Sequence, residues 1–357
     1  MFEQSSTVSH KRIIRIFVCA AAFFILINAG ISVFIPSYEQ TGRASEMLLS
    51  NNVCNFSLAD FSDIDNMLAH DTKRKIIILG DSVAYGIGVE HEAQSISGYI
   101  RNALPDYSVY NLSSCGSKPL DYYLWLKKLK DEDALFLIQY NYKWFATDNG
   151  ELRDRVSQKR LLTQFNEYVD ESVRKSIGNH VTHMDIVSHT VSRLIPAASH
   201  KTSLFVHFFN EKSKEDVIEH LFFGKPEKQS MAYKKRYWKE KDEMKRFNCA
   251  ISYPNQLWDA ERNVNVALYQ VTLAFIEENN LDAHVIMPPY NQELVDRCMK
   301  TSFRENVQWF IDEASRRGVE SSAYIDSVDE RYFLDDMHLN SEGNNQLATM
   351  IINDIVQ

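Results

Sequence analysis

Excess basic charge is the first thing this sequence lacks. Its 39 lysines and arginines stand against 48 aspartates and glutamates, a formal net charge of −9 over 357 residues. Nucleic acids are bound through a basic footprint, so no nucleic-acid partner is expected. The densest basic stretch, Lys225 to Lys245 (KPEKQSMAYKKRYWKEKDEMK), is interleaved with glutamates and reads as a solvated helix face. Cysteine is scarce too, with five residues, no Cys-x-x-Cys and no Cys/His spacing of a zinc site. The eleven histidines are scattered. His180, His183 and His189 share one helical stretch without a carboxylate pattern, so neither a metal nor another cofactor is expected. No internal repeat is visible. With 45% hydrophobic and 24% charged residues, a packed core is within reach and disorder is disfavoured.

Charge is also absent from one long run. Ile16 to Ile35 reads IFVCAAAFFILINAGISVFI, close to the roughly 20 apolar residues a helix needs to cross a bilayer. Lys11, Arg12 and Arg15 precede it, and no comparable basic cluster follows closely. The positive-inside rule therefore makes residues 1–15 a cytoplasmic tail and 16–35 a transmembrane anchor. Everything after Pro36 is then extracytoplasmic, on a single-pass protein of the inner or cell membrane facing the periplasm. A cleaved signal peptide is the rival reading. Its apolar core is usually shorter and ends at small residues, whereas bulky residues here continue past Ala29-Gly30. Outside the cytoplasm, Cys54, Cys115, Cys249 and Cys298 allow two disulfides in three pairings.

Residues 36–73 are polar and mixed, a stalk or lead-in. From 74 onward, strands and helices alternate. KIIILG (75–80), SVYNLS (108–113), ALFLIQYN (134–141), AHVIMPP (283–289) and SAYIDS (322–327) read as strands. Helices are expected near 94–104, 119–130, 303–318 and Ser341 to Val356, with another starting near Trp258. Short apolar strands alternating with helices predict an α/β domain over 74–357, a parallel sheet covered on both faces. More than a hundred residues separate the third strand from the next helix, far more than a crossover requires, so about 150–256 reads as a helical insertion.

The chemistry gathers at strand ends. KIIILGDSVAYGIGVE (75–90) sets a buried strand against Gly-Asp-Ser, where Ser82 is either a helix N-cap or a nucleophile. Gly86 and Gly88 allow a tight exit. Near the far end, FLDDMHLNSEGN (333–344) places Asp335 three positions before His338, just ahead of the last helix. That offset lets the carboxylate fold back on the ring nitrogen facing away from a serine, with His338 as base and Asp335 as its orienter. Asp336 is a neighbouring competitor.

Gly-Asp-Ser after the first strand and Asp-x-x-His before the last helix together resemble the SGNH (GDSL-type) hydrolase superfamily, over roughly 75–145 and 280–357. The resemblance implies a flavodoxin-like sheet sandwiched by helices, with Ser82 as nucleophile, His338 as base and Asp335 behind it. It also implies oxyanion donors at Gly116, in NLSSCGS (111–117), and at Asn141. Ser113 stands where the family's second block has its first glycine, and the glycine and aspartate that usually flank the asparagine of the third block are missing around Asn141.

Membrane-anchored proteins of polysaccharide O-acetylation look like this. The resemblance therefore implies acyl (acetyl) transfer to an envelope or exported polysaccharide through an acyl-Ser82 intermediate. A membrane-bound O-acyltransferase is the implied protein partner, and an acylated small molecule or glycan the substrate. An esterase or deacetylase using the same residues is the alternative, and a non-catalytic glycan-binding or scaffold protein the third reading. In the transferase reading, insertion aromatics such as Tyr237 and Trp238 could cover the site and stack on sugars; a plain packing lobe is the other possibility.

Overall fold

A computed structural model of the chain describes residues 10–34, 58–89, 91–146, 168, 170, 183–195, 237–245, 247, 263–297 and 302–356. The principal elements are, in chain order, α1 (His10–Phe34), α2 (Leu58–His70), β1 (Lys75–Leu79), α3 (Ser82–Tyr85), α4 (Ile96–Ala103) and β2 (Ser108–Asn111). They continue with α5 (Pro119–Leu129), β3 (Ala134–Gln139), α6 (Val264–Glu278), β4 (Ala283–Met287), α7 (Ser302–Arg316), β5 (Glu320–Ala323) and α8 (Ser341–Val356).

The five strands form one sheet in the order β2-β1-β3-β4-β5, with every neighbouring pair parallel. This is the flavodoxin-like order, and the chain reverses its direction of sheet growth at β1. Isoleucine-rich β1 suits a central strand, and all of its residues are buried. Alternate residues then serve opposite faces. Ile77 and Leu79, with Phe136 and Ile138, pack among Ile64 and Leu68 of α2, Leu124 of α5, Leu273 of α6 and Phe310 of α7. Ile76 and Ile78, with Leu135 and Leu137, pack among Ile96 and Ile100 of α4 and Leu347 and Ile351 of α8.

Local signals set the helix starts. Pro119 opens α5, where its missing N–H costs nothing, and the Lys118 N–H is taken by the Asp121 carboxylate at 2.8 Å. Asn340 caps α8 by accepting the Gly343 N–H at 2.9 Å. The helix expected from near Trp258 is seen as α6, begun by Asn263, whose side chain accepts from Asn265 and Val266 N–H; Trp258 itself lies outside the described residues.

One strand differs from expectation. β5 spans 320–323 rather than 322–327. It pairs with β4 from His284 to Met287, and β4 stops there because Pro288 and Pro289 have no N–H to continue a ladder. Its early residues are exposed or half-buried and polar, so the hydrophobic pattern did not reveal them.

At the other end of the chain, α1 covers the apolar run, and side chains such as Phe17, Val18, Phe23 and Leu26 along it are exposed. The side chains described there end at Gly30, and among the described residues no helix is long and apolar enough to cross a membrane. Most of the expected insertion, about 150–256, lies outside the described residues, as do the lead-in before Leu58, His180, Cys54, Cys249 and Cys298.

Candidate active site

The carboxyl ends of β1, β2 and β3 meet at the point where sheet growth reverses, which is where open α/β sheets bind ligands. The chain leaves β1 through Gly80-Asp81-Ser82. A Cβ on Gly80 would come within 2.5 Å of the Ala84 Cβ and 2.8 Å of the Gln139 side chain, so only glycine lets α3 turn back this tightly. Asp81, not Ser82, caps α3: its Oδ1 accepts the Val83 N–H at 3.0 Å. Ser82 is therefore spared the structural duty its position suggested. Beyond α3, Gly86 takes a left-handed conformation, and Gly88, at φ 106°, lies under Leu334.

Opposite Ser82, a narrow turn between the single 3-10 turn at residues 330–332 and α8 carries the other two side chains. Phe333 bridges Leu339 in antiparallel fashion, and the Leu334 N–H reaches the His338 carbonyl at 2.7 Å. Inside this turn, Asp335 Oδ1 accepts the N–H groups of Met337 at 3.0 Å and His338 at 2.8 Å. Its Oδ2 lies 2.7 Å from His338 Nδ1, and His338 Nε2 lies 2.9 Å from Ser82 Oγ.

An ionised carboxylate only accepts, so His338 Nδ1 carries the ring proton and neutral Nε2 accepts from the serine hydroxyl. Burial alone would raise the Asp335 carboxyl, but the His338 ring and the two backbone N–H donors outweigh it and hold it well below the usual range. For His338, burial works against protonation. The Asp335 carboxylate, helped by Asp336 and Asp81, prevails and raises it above the ordinary histidine value.

The oxyanion candidates stand at the ends of β2 and β3. Loop 111–117 is tied to the Gly80 turn by Ser114 N–H to Gly80 O at 3.1 Å, and Gly116 has φ 76°. Among the described residues, the N–H groups of Ser82 and Gly116 have no acceptor. Asn111 holds this loop from beneath, giving its amide to Ala84 O and Ser97 Oγ, each at 3.0 Å, and accepting from the Ser113 N–H. Cys115 is disulfide-bonded to a partner outside the described residues, and Cys19 is free.

Asn141 comes to the same edge but is fully buried. Its Nδ2 donates to Asp81 Oδ2 at 2.9 Å and contacts Met337 Sδ at 3.1 Å, while its Oδ1 accepts from Tyr290 OH at 2.7 Å. Trp144 Nε1 also donates to Asp81 Oδ2, at 3.0 Å. Desolvation pushes the Asp81 carboxyl up despite these donors.

Sequence reading missed Asp81, Trp144, Tyr290, Met337 and Asn291, whose backbone N–H reaches the Asp336 carbonyl at 3.0 Å. Asp81 lay inside the quoted Gly-Asp-Ser block, and Tyr290 and Asn291 follow Pro288-Pro289 at a strand's carboxyl edge, a legible place for function. Nothing in the sequence marks Trp144. The sugar-stacking role considered for Trp238 is corrected: its ring is 2% exposed and its Nε1 donates to Glu330 O at 3.2 Å. The Lys239 ammonium and the Arg297 guanidinium lie 5.1 and 5.9 Å from its ring centre. Tyr237 stands edge-on against it. Asp336 points to no role at His338 Nδ1, which Asp335 occupies. No family model and no curated protein matches the chain.

Proposed function

We propose that the chain is an extracytoplasmic, serine-dependent acyl-ester enzyme of the SGNH type. It transfers an acyl group, acetyl foremost, to a hydroxyl of an envelope or exported polysaccharide. The observation that carries the chemistry is the unbroken chain from Ser82 Oγ through His338 to Asp335, with links of 2.9 and 2.7 Å. Ser82 Oγ attacks the acyl carbon while its proton passes to His338 Nε2, and Asp335 stabilises the resulting imidazolium. The N–H groups of Ser82 and Gly116 receive the oxyanion. Asn141 joins them when the weak Met337 sulfur acceptor is exchanged for the oxyanion. His338 then protonates the leaving group, giving acyl-Ser82, and afterwards takes the proton of the acceptor hydroxyl. Transfer restores free Ser82.

Hydrolysis is the second reading, favoured by one observation: Ser82 and His338 are only partly buried, so water reaches them. The two separate at deacylation. With the full-length chain in detergent and a chromogenic acetyl ester, an oligosaccharide acceptor is expected to accelerate chromophore release and to appear acetylated by mass spectrometry. Rapid hydrolysis that ignores a broad panel of sugars would promote the esterase reading.

Residues 16–35, an apolar run that is helical as far as Phe34, are proposed as the membrane anchor, with a membrane-bound O-acyltransferase supplying the acyl group. A periplasm-active reporter is expected to work when fused after Gln357 and to fail before Met1. The reverse pattern would remove the extracytoplasmic assignment and the polysaccharide with it.

A further inference from the structure

Lys241 is a buried lysine, and a buried ammonium is costly unless it serves a partner. Its Nζ donates to the Leu334 carbonyl at 2.7 Å. That carbonyl belongs to the peptide leading into Asp335, and the N–H of the same residue closes on the His338 carbonyl at 2.7 Å. Leu334 thus connects Lys241 directly to the main chain of the base. The surrounding segment adds two further ties: Trp238 Nε1 to Glu330 O at 3.2 Å, and Lys239 Nζ to Glu330 at 2.8 Å and Glu293 at 2.6 Å. Asn291 also holds the carbonyls of Asp335 at 3.3 Å and Asp336 at 3.0 Å. The carbonyls of Leu334, Asp335 and Asp336 are thus each held by a donor from outside the turn.

We propose that Lys241 is a positioning residue that sets the Asp335–His338 pair against Ser82, so that residues 237–245 are part of the machinery rather than a passive lobe. This rests on the acyl-enzyme reading for its consequence in catalysis. Without the ammonium, the Leu334 carbonyl loses a charged donor in a buried place, and the turn relaxes. A displacement of about 1 Å at such a site costs about 100-fold in rate.

The test uses full-length protein in detergent with two readouts. Lys241→Met is expected to lower kcat for a chromogenic acetyl ester by about 10- to 100-fold with KM nearly unchanged. The midpoint of its acid pH limb moves, and Lys241→Arg restores most of the rate. The downfield proton resonance of His338 Nδ1–H, present whatever the site catalyses, is expected to shift or broaden in Lys241→Met and to recover in Lys241→Arg. Folded Lys241→Met with the wild-type resonance and pH limb overturns the proposal. If Lys241→Met does not fold, Trp238→Phe, which removes the N–H onto Glu330 O together with part of a buried ring, is expected to show a smaller change of the same kind, and wild-type behaviour there overturns it equally. Wild-type protein that shows the resonance, and its dependence on Lys241, but turns over no ester refutes the acyl-enzyme reading and leaves the positioning role supported.

Discussion

Alanine at position 82 is expected to abolish turnover of an acetyl ester, lowering kcat by about a million-fold, with the melting temperature nearly unchanged. Both halves of that expectation come from the geometry. The hydroxyl of Ser82 bonds His338 Nε2, and among the described residues no other hydroxyl or thiol is bonded to that ring. The α3 cap is Asp81, so truncating Ser82 uncaps nothing and removes only one partly exposed oxygen. His338→Ala is expected to lose a similar factor, and the double variant little more, because nucleophile and base act as a unit. Mass spectrometry after a slow ester should find the acyl group on the Ser82 peptide of the parent chain. Retention of more than a few per cent of the activity by folded Ser82→Ala would place the nucleophile elsewhere. Retained glycan binding with no turnover even in the parent would favour the scaffold reading.

What the sequence made legible was whatever is encoded locally. Runs such as Ile76–Ile77–Ile78 announce a central strand, and Asn340 with the apolar spacing after Ser341 announces α8, because burial and capping leave their marks within a few residues. The three triad candidates were legible for a related reason: Ser82 follows a strand, and Asp335 reaches His338 within one turn. β5 was misplaced because an edge strand with exposed Glu320 and half-buried Ser321 lacks the apolar pattern, and its pairing is dictated by β4. The support of the site was hidden for a different reason. Asp81 meets Trp144 across 63 positions, Asn141 meets Tyr290 across 149, and Lys241 meets Leu334 across 93. A tryptophan, a tyrosine or a lysine in those contexts looks like ordinary packing or a solvated charge until the fold brings the partner to it.

Asp335→Asn tests the remaining member of the proposed triad and separates it from its neighbour. The change keeps size and removes charge, so the turn held by the Met337 and His338 N–H groups should survive. At the ring, the loss is larger. An amide facing Nδ1 no longer fixes the proton there, so His338 can place its proton on Nε2 and present no lone pair to Ser82; the expected cost is about 10⁴-fold in kcat.

In the parent chain, His338 is raised above the 6.5 of an ordinary histidine, chiefly because Asp335 overcomes the burial that opposes its charge. The base form is therefore complete at high pH, and activity falls as pH drops through a midpoint above 6.5. Asp336 also raises His338, but only through its charge, since Asp335 holds Nδ1. Asp336→Asn should consequently leave kcat at its plateau almost intact while moving the acid limb to lower pH. The pair of variants thus gives opposite signatures, a collapsed plateau for one carboxylate and a displaced limb for the other. Exchange of those signatures between the two positions would mean that Asp336, not Asp335, orients the base.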